Sequence, residues 1–91
     1  MKPSEIQFAL NLEALSAPQC RRIVQALATQ PLSTKQLEKA CGLTPASIEK
    51  HLEPLFRSGL VVLTSVDGVE VLKLNRANLQ PTIDWFADLI H

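Results

Sequence analysis

The sequence predicts a mainly α-helical domain with a β-hairpin wing, a winged helix-turn-helix in the order α-α-α-α-β-β-α. Three observations carry this. Apolar residues recur at helical spacing as far as Gly59, and a tight Cys41-Gly42-Leu43-Thr44 turn joins the last two helical stretches. From Leu60 the period changes from about 3.6 to 2. Two β-branched runs then flank Asp67-Gly68, the strongest short-range hairpin signal there is.

The elements follow in order. Ile6, Phe8, Leu10, Leu12 and Leu15 suit a first helix over about 4–15. They form two stripes, Phe8-Leu12-Leu15 and Ile6-Ala9-Leu10, so the helix is expected to be covered on two sides. A second helix opens at Ser16-Ala17-Pro18, with Ser16 as its expected cap and a proline in the first turn, where no helix hydrogen bond is lost. Ile23, Val24 and Leu27 supply its inner face, and Gln30-Pro31 ends it.

Ser33 with Gln36 reads as a capping box opening a short third helix, whose Leu37, Ala40 and Cys41 face inward. Gly42 is its left-handed stop. Thr44 caps the fourth helix and Pro45 begins it. Ile48, Leu52, Leu55 and Phe56 point to the core, with a kink or loosened turn expected near Lys50–Pro54. Pairing Val66 with Val69 puts Val61, Leu63, Leu72 and Leu74 on one face of the hairpin. Val62, Thr64, Val66, Val69, Val71 and Lys73 fall on the other, which the first helix is expected to cover in part. Asn75 to Gln80 reads as a connection, and Pro81 opens a last helix to Ile90.

The chain of 91 residues reads as one domain, 1–91: helix-turn-helix about 33–58, wing about 60–74, terminal helices about 4–15 and 81–90. Such a chain hides roughly 60–65% of its unfolded surface, a thin core. Nine Lys+Arg balance nine Asp+Glu, which excludes a polybasic arm or an acidic tail. Four aromatic residues and no tyrosine argue against a base-stacking platform for single strands. The longest apolar run, Leu60 to Leu63, is too short for a membrane span, and no signal-peptide pattern is present. Two cysteines make no disulfide framework, so the expected compartment is the cytoplasm. Ser47, His51 and Glu53 are not arranged as nucleophile, base and orienter, so no enzyme is read here.

Leu15-Ser16-Ala17-Pro18-Gln19-Cys20-Arg21-Arg22-Ile23-Val24, then Leu43-Thr44-Pro45-Ala46-Ser47-Ile48-Glu49-Lys50-His51-Leu52 with Leu55 and Gly59-Leu60-Val61, resemble the ArsR-type regulators. Leu72-Lys73-Leu74-Asn75 and Asp84-Trp85-Phe86 resemble that family's second wing strand and last helix. The resemblance covers nearly the whole chain. It implies a dimeric, sequence-specific, double-stranded-DNA-binding transcription repressor of bacterial or archaeal type, with the terminal helices at the dimer interface and an effector controlling DNA release.

Many members of that family bind a metal through Cys-x-Cys at the start of the third helix. Ser33 and Lys35 stand there instead, and a hydroxyl and an ammonium cannot replace two thiolates. Asp84, Asp88 and His91 form a polar stripe on the last helix, but their spacing does not match the family's Asp-x-His pattern, and they read as a solvated face. No metal and no cofactor are therefore expected.

The candidate DNA contacts are Lys35, Thr44, Ala46, Ser47, Glu49, Lys50, His51 and Arg57. On the outward face of the fourth helix two acids cancel two bases, a poor start for phosphate affinity. The candidate dimer contacts are Ile6, Ala9, Leu10, Ile83, Phe86, Leu89 and Ile90. The apolar residues of the last helix span an arc of roughly 200°, more than the ~100° stripe that one core requires. Cys20 is the candidate redox thiol: a helix N-terminus and the adjacent Arg21 and Arg22 both favour a thiolate. Valines on the wing, with Asp67 and Glu70 at its tip, leave a second reading open. In it the chain is a protein-binding winged helix with weak or no DNA binding, and the wing meets a protein partner.

Overall fold

The computed structural model describes residues 1–90. Its elements are α1 (Pro3–Ala14), α2 (Pro18–Leu27), α3 (Thr34–Cys41), α4 (Pro45–Ser58), β1 (Val61–Val66), β2 (Val69–Leu74) and α5 (Arg76–Leu89). The predicted order α-α-α-α-β-β-α is the observed one.

Local chemistry sets most boundaries. Pro3, Pro18 and Pro45 open α1, α2 and α4, where the missing N–H has no helical partner to lose. Ser33 caps α3 in a full capping box: its Oγ accepts from the Gln36 backbone N–H at 3.2 Å, and Gln36 Oε1 accepts from the Ser33 backbone N–H at 2.8 Å. Gly42 ends α3 at φ 65°, in the left-handed region that favours glycine. The hairpin register is Val66↔Val69 through Val61↔Leu74. Asp67 and Gly68 both adopt positive φ, as the tight turn between twisted strands requires.

The core lies between α2, α3, α4 and the base of the hairpin. Ile23, Leu37, Ile48, Leu55, Leu60, Val61 and Leu72 are almost wholly enclosed. The linker from α2 to α3 joins the sheet: Leu32 and Leu72 exchange both backbone hydrogen bonds, at 3.1 and 2.7 Å.

Several expectations are corrected. Ser16 does not cap α2; Ala17 occupies that position, and the Ser16 hydroxyl donates back to the Glu13 carbonyl. Ala40 is exposed, because α3 turns only its Leu37 side fully inward. Phe56 is 43% and Leu63 55% exposed, because both lie beyond the reach of the thin core. α4 runs unbroken past Pro54 to Ser58. α5 begins at Arg76, not Pro81. Asn75 caps it by accepting from the Asn78 backbone N–H, and Pro81 lies inside the helix.

The apolar stripes of α1 are not its buried seam. Ile6 and Leu12 are exposed, and the enclosed positions are Asn11 and Ala14. Asn11 Nδ2 donates to the Asn78 carbonyl at 2.7 Å and to Thr82 Oγ1 at 2.9 Å, while its Oδ1 accepts from Gln7 Nε2 at 2.7 Å. Gln7 Nε2 also donates to the Ser58 carbonyl at 2.8 Å, and Asn78 Nδ2 to the Gly59 carbonyl at 3.0 Å. This chain of amides fastens α1 and α5 to the end of α4. Gly59 is required there. Its φ is 76°, and a Cβ would stand 2.5 Å from Asn78 Nδ2.

Candidate nucleic-acid interface

α3, the Gly42 turn and α4 form the helix-turn-helix, and the hairpin follows α4 directly. The start of α4 is fixed from within: Thr44 Oγ1 accepts from the Ser47 backbone N–H at 3.2 Å, so this oxygen serves the cap. Ile48, Leu52 and Leu55 anchor the helix on the core, which turns Ala46, Glu49, Lys50, Glu53 and Arg57 to the surface. Lys35 and Lys39 are exposed on α3. The structure thus gathers seven of the eight candidate contacts on α4 and its cap, with Lys35 on the helix before it.

Two of these side chains are already engaged. Arg57 donates to Glu53 Oε1 across one turn in an exposed ion pair, so its charge is already shared with a carboxylate. His51 is half-buried, and its Nδ1 lies 2.7 Å from the Ser47 carbonyl and 3.3 Å from Ser47 Oγ. A carbonyl only accepts, so the Nδ1 hydrogen points to it. The ring is thereby oriented along the flank of α4.

Cys20 is not an activated thiol. It sits 1% exposed, and its Sγ–H donates to the His51 carbonyl at 3.4 Å, packing α2 on the back of α4. Burial pushes its ionisation up, and this outweighs the lowering by Arg21. The favourable flanking charges read from the sequence are therefore overruled by desolvation. Cys41, half-buried, is pushed up for the same reason against Arg22.

The thiolate positions of the resembled family hold groups that do not fit a metal. Ser33 Oγ is spent on the α3 cap and Lys35 is an exposed cation. Among the described residues no three His, Cys, Asp or Glu side chains stand together as metal ligands. Asp84 and Asp88 are exposed on α5; His91 lies outside the described residues.

On the second wing face Val62, Val66 and Val69 are exposed, while Thr64 and Val71 are half-buried. Its tip bears Asp67 and Glu70, and Lys73 is its one cation. Arg76, at the exit of the wing, is pinned to the Ala28 carbonyl. The candidate dimer residues Ile6, Ala9, Ile83, Phe86, Leu89 and Ile90 are exposed, and Leu10 is half-buried. Sequence reasoning missed Gln7, Asn11 and Asn78, which position the end of α4. Their only signal was an amide at helical spacing within an apolar pattern, Gln7 and Asn11.

A family model described as a helix-turn-helix domain matches residues 15–64. No curated protein matches the sequence. Among solved structures, the chain is similar to an ArsR-like transcriptional regulator from a Rhodococcus species. The TM-score is 0.82 at 23% identity, covering 97% of this chain and 83% of that one. HlyU from Vibrio cholerae superimposes at a TM-score of 0.75 with 21% identity, over 98% of this chain and 97% of its own. A homodimeric winged helix-turn-helix DNA-binding domain from Mycobacterium bovis does so at 0.72 with 17% identity, over 97% and 88%. The winged helix-turn-helix fold is therefore shared with ArsR-type regulators.

Proposed function

Since the chain belongs to the helix-turn-helix domain family, we propose that it is a sequence-specific, double-stranded-DNA-binding transcriptional regulator of repressor type. It acts in the cytoplasm as a homodimer, without a Cys-x-Cys metal site at the start of α3, and it is not an enzyme. The observation that carries this reading is α4: a helix capped at Thr44, anchored by Ile48, Leu52 and Leu55, and open along Ala46, Glu49, Lys50 and Arg57. A helix so presented suits the major groove, with its N-terminal residues at base edges.

Within one domain of residues 1–91, the helix-turn-helix of 33–58 reads DNA and the wing of 60–74 lies beside it. The terminal helices pair with those of a second copy through Ile6, Ala9, Leu10, Ile83, Phe86, Leu89 and Ile90. The exposure of that face and the homodimeric state of the Mycobacterium bovis domain support the pairing. No helix among the described residues is long and apolar enough to cross a membrane.

Affinity comes from few cations. Lys35, Lys39 and Lys50 are exposed, and a dimer using about three phosphate contacts per subunit would give a log–log salt slope of roughly −5. Specificity then rests on Ser47, Glu49, Lys50 and His51, over an inverted repeat with half-sites about one helical turn apart. Glu49 suits the cytosine amino group and repels phosphate. Fluorescence anisotropy on specific and random duplexes tests this. Lys50→Ala weakens all duplexes alike if Lys50 meets phosphate, and Glu49→Gln raises non-specific affinity while lowering discrimination at one base pair. Failure of both wild type and Glu49→Gln to bind any duplex rejects the DNA reading.

A second reading is favoured by the open valine face of the wing and its acidic tip: a protein-binding winged helix. In that case DNA binding fails while charge substitution at Val66 or Val69 abolishes capture of the protein partner.

A further inference from the structure

α2, the linker that follows it and the end of α3 frame a cavity of about 590 Å³, away from the face proposed for dimer contact. Small residues face one another there, Ala26 on α2 and Ala40 and Cys41 on α3, so the two helices do not fill the space between them. Leu32 adds an apolar wall. Its backbone is bonded to Leu72, which fixes that wall to the sheet. The volume falls within the range of about 300–1,000 Å³ that small-molecule sites occupy.

One full charge lines this space. Arg22 stands at its exposed mouth with the amides of Gln25 and Gln30, and the lining holds no Asp, Glu or Lys. The other three arginines of the chain are spent on protein oxygens: Arg21 on the Leu15 and Ser16 carbonyls, Arg57 on Glu53 and Arg76 on the Ala28 carbonyl. Arg22 has no carboxylate partner among the described residues. Its charge reaches Cys41 on the opposite wall: burial pushes that thiol up, and Arg22 opposes the push. The guanidinium and the apolar wall are therefore close enough for one small molecule to meet both.

We propose that this cavity binds a small organic carboxylate, with its anionic end on Arg22 and its apolar body against Ala26, Leu32 and Ala40. A guanidinium presents two parallel N–H donors at the spacing of carboxylate oxygens. Gln25 follows Arg22 by one turn of α2, on the same side of the helix, and supplies a further amide donor. An inorganic anion is a poorer occupant, because it leaves the apolar walls in water. A cation finds no opposite charge in the lining.

The cavity carries its own reporter. Cys41 is half-buried on its wall, whereas Cys20, the other thiol, is 1% exposed and stays unlabelled while the fold is intact. No nucleic acid enters the measurement, so its outcome is separate from that of the DNA reading. Alkylation of Cys41 by N-ethylmaleimide is followed by mass spectrometry while benzoate, hexanoate, benzamide or inorganic phosphate is titrated in. The expected result is saturable protection by at least one of the two carboxylates, with benzamide and phosphate roughly ten-fold weaker or more. Arg22→Gln, its fold checked by circular dichroism, abolishes the preference for the carboxylate over benzamide, and Lys39→Gln, outside the lining, leaves it unchanged. Four results would overturn the proposal: no saturable protection by either carboxylate, benzamide as effective as benzoate, phosphate as effective as the carboxylates, or an undiminished carboxylate preference in Arg22→Gln.

Discussion

Between α2, α3 and α4 the interior is closed by Ile23, Leu37, Ile48 and Leu55, none more than 2% exposed. Where α1 and α5 meet the end of α4, it is closed by Gln7, Asn11, Asn78 and Thr82. The first region gains from removing apolar area from water, a force without direction that tolerates small shifts. The second gains little net energy per hydrogen bond, but each bond is geometrically demanding and each orphaned partner is costly. All buried side-chain nitrogens and oxygens among the described residues are satisfied, so the amide seam is complete. The apolar centre thus supplies stability, and the seam fixes the registration of the terminal helices on the end of α4.

Substitutions separate the two. Leu55→Ala in the centre should cost about 2–5 kcal/mol in urea unfolding followed by circular dichroism, since the cavity left behind adds to the lost transfer energy. Asn11→Ala should cost about 1–3 kcal/mol, because Thr82 and the Asn78 carbonyl lose its amide donor and Gln7 keeps only the Ser58 carbonyl. Amide exchange should then rise first in α1 and α5. Exchange that rises equally in α2 would erase the distinction between the regions. A double-mutant cycle on Asn11 and Thr82 sharpens it further, and a coupling near zero would mean that the seam acts only by filling space.

Smaller effects come from the edges. Ser33→Ala removes the α3 cap and should cost about 1 kcal/mol by the same assay. The thiols act through pH. Cys20 and Cys41 ionise at higher pH folded than unfolded, so above roughly pH 8.5 the unfolded chain releases protons that the fold retains, and stability falls as pH rises. Cys20→Ser and Cys41→Ser should flatten that decline in thermal melts between pH 7 and 9.5. Smallest of all, Arg57→Ala breaks only an exposed pair with Glu53 and should change stability by less than about 1 kcal/mol.

The same contrast explains what was legible in the sequence. The Ser33–Gln36 box, the Thr44-Pro45 start, the Gly42 stop and the Asp67-Gly68 turn depend on residues within a few positions of each other, and all lie as expected. So do Ile48, Leu52 and Leu55, whose period declares a buried face. The seam was not legible, because an apolar period cannot register Asn11 as the most deeply enclosed position of α1. Pro81 was misread as a start because the true cap, Asn75, looked like part of a polar connection. The α4 surface was legible as a face. Its engagement was not, since the Arg57–Glu53 pair, the His51–Ser47 contact and the burial of Cys20 each depend on side-chain placement in three dimensions.

Leu32 and Leu72 exchange both of their backbone bonds. Everything proposed to face DNA, from the α3 cap through α4 and around the wing, lies on the stretch of chain between these two residues. That stretch leaves and returns to one point, like a loop of cord closed with a single knot. Pulled from either end, it would transmit load through two backbone hydrogen bonds and keep α3, α4 and the wing travelling as one body. A fragment cut at residue 64, where the helix-turn-helix match ends, keeps every side chain of α3 and α4 proposed to face DNA but loses the knot.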